Sequence, residues 1–102
     1  MTTEISDAVA ASAFRRLVTH LQQRPDAENI DLMGLAGFCR NCLADWVMEA
    51  ANETGGDMTK DEAREVIHGM PQSEWKRQYQ TEATPERLQK MKESIAKNAA
   101  AV

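Results

Sequence analysis

At 102 residues, 42% of them hydrophobic, the chain has material for one domain with a modest core, which a bound metal or a second subunit would help to stabilise. The net charge is -4: the first 83 residues carry eight basic and fourteen acidic side chains and the last nineteen carry four and two, so no basic stripe is available for nucleic acid. No run approaches the ~18 apolar residues of a membrane span, and the opening MTTEISDAVAASAF lacks the apolar centre of a secretory leader, so the expected setting is the cytoplasm, where thiols stay reduced.

Strong helix formers (Ala, Glu, Lys, Gln, Met, Arg) dominate, and no stretch alternates apolar and polar residues over strand length, so the expected fold is all-α. Residues 1–7 are polar and expected to be disordered, with Ser6 or Asp7 capping a first helix that runs to about Gln23. Ala10, Phe14, Leu17, Val18 and Leu21 share one face of it, His20 sits at the edge of that face, and Arg24-Pro25 ends it.

After the connector DAENI comes the densest apolar run, IDLMGLAGFCRNCLADW. It reads as one central helix, capped by Asp31 and running to about Glu53, with Leu32, Leu35, Ala36, Cys39, Cys42, Leu43, Trp46, Val47 and Ala50 on a broad face and Arg40, Asn41 and Asp45 off it. A face this wide suits neighbours on more than one side. Gly34 and Gly37 each cost ~1 kcal/mol inside a helix, a cost that close approach of another backbone would offset.

Thr54-Gly55-Gly56 ends the run. Thr59 with Glu62 is a capping box for a third helix, whose inner face is Ala63, Val66 and Ile67 and whose end is Gly69 and Pro71. A short helical turn follows, with Trp75 and Tyr79 one turn apart. Thr84-Pro85-Glu86 starts a last helix carrying a thin stripe of Leu88, Met91 and Ile95, expected to be ordered only against a partner. The expected organisation is thus a helical core over 8–80 and a C-terminal helix or tail over 81–102.

The run FRRLVTHLQQRPDAENIDLMGLAGFCRNCLADW, followed by TKDEAREVIHGMPQSEWK, resembles the bacterial domain-of-unknown-function family numbered 1244, over roughly residues 14–80. The resemblance implies a short all-helical protein without an established activity, an intertwined homodimer of few-helix subunits that carries metal. The family pattern maps onto His20, Cys39 and Cys42. At position 68 the pattern often has Tyr, so His68 departs from it and is the weaker ligand.

The chemistry centres on the CxxC. At i and i+3 of a helix, Cys39 and Cys42 bring their Cβ atoms within ~5–6 Å. Such a pair offers two of the four ligands of a tetrahedral zinc, with His20 as the third. The fourth would come from His68, Asp45, Glu49 or a partner subunit. Against this stand two other readings: both cysteines are buried small hydrophobes, or they are a redox pair. The last is disfavoured on a continuous central helix, because the turns preceding Cys39 remove the helix N-terminus that would lower its pKa.

The remaining features have bland readings. His20 alone fits a core-edge histidine, and His68 before Gly69 fits a side chain on helix-terminal carbonyls. Trp46 and Trp75 fit core or dimer anchors. Asp57, Asp61 and Glu62 lack the alternating ligands and central glycine of a calcium loop, and Arg15-Arg16 fits an exposed surface. No nucleophilic triad or phosphate loop is present.

The preferred expectation is a small cytosolic helical homodimer acting by interaction with an unknown protein partner, with any zinc at Cys39, Cys42 and His20 structural. The alternatives are a metal-dependent enzyme using the same residues around an open coordination position, and a thiol–disulfide enzyme or carrier.

Overall fold

A computed structural model describes residues 3–100. Those residues form six helices and no strand: α1 Asp7–Gln22, α2 Asn29–Ala36, α3 Arg40–Glu53, α4 Lys60–His68, α5 Gln72–Tyr79 and α6 Pro85–Ala100. Of the expected frayed segment, Met1 and Thr2 lie outside the described residues; Ser6 caps α1 by accepting a hydrogen bond from the Val9 N–H at 3.2 Å.

The main departure from the sequence reading lies in the central run, which is two helices. α2 ends at Gly37, whose φ of 76° is left-handed and whose N–H donates to the Met33 carbonyl. A side chain is strained at that φ, and a Cβ built there would stand 2.3 Å from the Asn98 amide oxygen of α6. Gly37 is therefore a C-terminal cap and not an interior residue. Phe38 and Cys39 turn the chain, and α3 starts with Cys39 as its extended N-cap residue. The expected cap at Asp31 also moves, three residues back to Glu28, which has no side-chain capping hydrogen bond.

The other punctuation is as expected. Thr59 and Glu62 exchange both capping-box hydrogen bonds, Gly69 ends α4 in the left-handed region, and Thr84 accepts the Arg87 N–H ahead of α6.

Two associations dominate the packing: α3 on α4, and α2 along α6. The apolar core joins α1, α3 and α4 through Leu21, Leu43, Ala44, Ala63 and Ile67, with Phe14, Val18 and Val47 packed around it. The helix α6 has its docking face on its own chain. There Arg87 pairs with both Asp31 and Glu28, and Asn98 donates to the Gly37 carbonyl at 2.8 Å.

At the centre of the molecule sits a cation. Arg40, fully buried, donates to the carbonyls of Ala27, Leu21 and Arg24 at 2.6, 3.1 and 2.8 Å and to the Asn29 side-chain oxygen at 3.1 Å. These oxygens lie at and just beyond the end of α1, where unpaired carbonyls concentrate partial negative charge. Its guanidinium also stands 4.9 Å from the centre of the buried Trp75 ring. One side chain thus ties the α1 exit, the α2 entry, α3 and α5 together.

Candidate functional site

The break at Gly37 defines the site. It lifts Cys39 out of a helix interior and places it at the N-terminus of α3, with Cys42 one turn on. The two sulfurs are 3.9 Å apart as free thiols. Met33, in the middle of α2, completes a sulfur group: the Cys42 thiol lies 3.8 Å from its Sδ. Cys39 is buried and Cys42 half-buried.

Beside these sulfurs is a cavity of about 300 Å³ between α2, the start of α3, α5 and α6. Met33, Cys39 and Met91 supply soft, apolar lining, and Glu28, Asn41 and Lys76 supply polar groups. A space of that size is at the lower limit for a small-molecule pocket.

Electrostatics around the cysteines pull in two directions. Burial pushes the Cys39 thiol above its ordinary value, while the backbone N–H groups of Cys42 and Asn41 at the start of α3 work against that rise. Burial pulls the Arg40 guanidinium down, and the neighbouring Cys39 opposes this. On the far wall, burial would raise the Glu28 carboxyl, but the Thr81 N–H and hydroxyl, both at 2.7 Å, and Arg87 at 3.0 Å outweigh it and hold it below the usual carboxylate range.

The sequence-predicted ligands do not all meet. Cys39 and Cys42 are together, but His20 is exposed in the last turn of α1. Among the described residues, no group of three or more His, Cys, Asp or Glu side chains is placed to hold an ion within the chain. The expected zinc set of Cys39, Cys42 and His20 is therefore not assembled by one chain, because His20 faces solvent.

His68 is an internal prop. Its ring is buried edge-on against Trp75, with centroids 5.2 Å apart, and its Nδ1 is 2.7 Å from the Arg64 carbonyl. The neutral tautomer donates from Nδ1 and leaves Nε2 without a hydrogen-bond partner among the described residues. Burial, with Arg40 and Arg64 nearby, holds its pKa below the ordinary value although the Arg64 carbonyl pulls upward.

Met33, Arg40 and Glu28 were not singled out by the sequence reading. The legible clue to the first two was Gly37: read as a helix stop, it makes Cys39 a cap, folds Met33 back over Cys42 and turns Arg40 inward.

A family model described as "Protein of unknown function (DUF1244)" matches residues 27–93, about two-thirds of the chain. The match begins after α1 and runs past residue 80 well into α6, so the resemblance expected to stop at 80 extends through the α2–α6 pair. No curated protein matches the chain.

Proposed function

The chain belongs to the DUF1244 family, and on that footing we propose that it is a homodimeric protein acting by interaction with another protein in the cytoplasm. The observation that carries this reading is the balance of apolar surface. Among the described residues only seven apolar side chains are buried, two of them alanines, whereas Leu35 is 73% exposed and Trp46 54% exposed, alongside exposed Ile5, Val9, Leu17 and Val66. Single exposed apolar residues are ordinary. Here Trp46 stacks on Phe38 with ring centres 6.2 Å apart, and Leu35 lies one turn before Phe38 in the chain, so the apolar groups collect at the α2–α3 corner. Aromatic anchors of this kind dominate protein interfaces.

The radius of gyration points the same way. It is 15.0 Å, against about 13 Å for a compact chain of this length. An open subunit with a small core gains most from a second copy. Light scattering at micromolar concentration should return twice the chain mass, and a clean monomer would overturn the reading. Trp46→Glu should shift the equilibrium toward monomer.

A second reading, a thiol–disulfide protein, has one specific observation in its favour: Cys39 occupies a helix N-terminus after all. The upward pull of burial on Cys39 weighs against it, since the thiolate is the attacking species. Equilibration in glutathione buffers followed by mass measurement tests it. A pair that remains dithiol across cytosolic poise removes this reading, and half-oxidation within that range favours it.

A further inference from the structure

We propose that Met33, Cys39 and Cys42 form a three-sulfur site for a monovalent copper ion. The geometry is the first argument. Three donors held in a plane around an ion at about 2.3 Å, the metal–thiolate length, stand about 4.0 Å from one another. Two sides of that triangle match: Cys42 Sγ is 3.9 Å from Cys39 Sγ and 3.8 Å from Met33 Sδ. Those sulfurs come from two helices, and the Gly37 turn is what brings them together.

Donor chemistry is the second argument. Thiolate and thioether are soft ligands, and the pairing of Cys with Met selects Cu(I) over hard or borderline ions. Zinc instead takes four ligands in a tetrahedron, drawn from thiolate, imidazole and carboxylate. Within the described chain no third His, Cys, Asp or Glu joins the cysteines. A thioether from Met33 fills the place a borderline ion would give to imidazole.

Charge is the third. On binding, each thiol gives its proton to solvent and both sulfurs bond to the ion: Cu⁺ plus two thiols yields a dithiolate complex of charge −1 and two protons, with Met33 neutral. The buried Arg40 next in sequence to Cys39 holds only neutral oxygens. A buried cation is costly unless it is countered; the nearest carboxylate acting on it, Asp26, is already paired with Arg24 at the surface, and an anionic copper centre at the neighbouring Cys39 adds a second counter-charge. The start of α3 also favours negative charge. The cavity lined by Met33 and Cys39 provides a route for the ion.

The test uses the reduced full-length protein, titrated anaerobically with Cu(I) against a chromophoric Cu(I) chelator, with X-ray absorption on the product. One ion per chain and a first shell of three sulfurs are expected. Met33→Leu conserves volume at a half-buried position and so keeps the fold, yet it should weaken Cu(I) binding by at least about tenfold, a loss that even outer-sphere partners cause. Cys42→Ser should abolish tight binding, and His20→Ala should leave it unchanged. Failure to retain copper against the chelator, unchanged affinity in Met33→Leu, or one ion shared by two chains would each overturn the site. So would nitrogen in the shell with loss of binding in His20→Ala, or displacement of Cu(I) by equimolar Zn(II).

Discussion

Arg40 carries the largest single burden of any side chain in the molecule. Its two terminal nitrogens make four hydrogen bonds to oxygens of the α1 exit and the α2 entry, three of them main-chain carbonyls, while its Nε–H has no partner among the described residues. Replacing it by methionine keeps most of the volume, removes the donor to the Ala27 carbonyl and leaves the Leu21 and Arg24 carbonyls with only the backbone N–H groups of Arg24 and Ala27. A buried acceptor left without a partner costs about 1–3 kcal/mol and each further lost hydrogen bond about 1 kcal/mol, so Arg40→Met should lower unfolding free energy by about 3 kcal/mol. Urea melts measure this, and a loss under about 1 kcal/mol would mean that water reaches the carbonyls. His68 gives a pH signature. The folded chain holds it neutral, below the unfolded value of 6.5, so the unfolded state binds the extra proton between the two pKa values. Its contribution is complete above about pH 6.5 and is lost as pH falls through the folded-state pKa. Urea midpoints should therefore fall between pH 7 and 5, more steeply than in His68→Leu, and parallel slopes in the two proteins would dismiss the effect.

At the scale of elements, α2 and α6 are held by a polar latch over a thin apolar seam. Arg87 reaches Asp31 at 2.9 Å and Glu28 at 3.0 Å, and Thr81 closes the other side of Glu28. Partly exposed pairs stabilise weakly on their own, but a bidentate arginine shared by two carboxylates fixes register. Because the folded Glu28 lies below its ordinary 4.5, its contribution is complete above about that pH and is lost as pH falls through the lower folded value. The amides of α6 should then exchange faster with solvent in acid than those of α3 and α4, whose contact is apolar. Arg87→Ala should give the same selective loosening at neutral pH, and uniform protection across α3, α4 and α6 would show that the latch is not what docks α6.

For the whole molecule, the exposed α2–α3 corner and the excess radius of gyration make stability a matter of concentration. If two copies cover Leu35 and Trp46, the thermal midpoint should rise with protein concentration. That dependence should vanish in Trp46→Glu while the helical content is kept. A midpoint constant over a hundredfold dilution would contradict the dimer. Loading with Cu(I) should raise the midpoint in both proteins, since the sulfur site lies within one chain.

Local chemistry determined much of this protein from the sequence by itself. Helix-forming composition and missing strand periodicity made it all-α, and proline, the capping box and the glycine stops placed most helix ends within a residue or two. These are local effects, decided by backbone sterics and by hydrogen bonds to groups within about four residues. The nearness of Cys39 to Cys42 was likewise legible from their spacing. Which way Gly37 went was not: helix continuation and a left-handed stop differ by little in the isolated chain, and Asn98 of α6, 61 positions away, holds the stop by donating to the Gly37 carbonyl. Only the tertiary structure settled that choice. With it came the burial of Arg40, the placement of His20 outside the cysteine pair and the meeting of Met33 with Cys42. All of these depend on contacts between helices distant in sequence, where neither periodicity nor propensity has purchase.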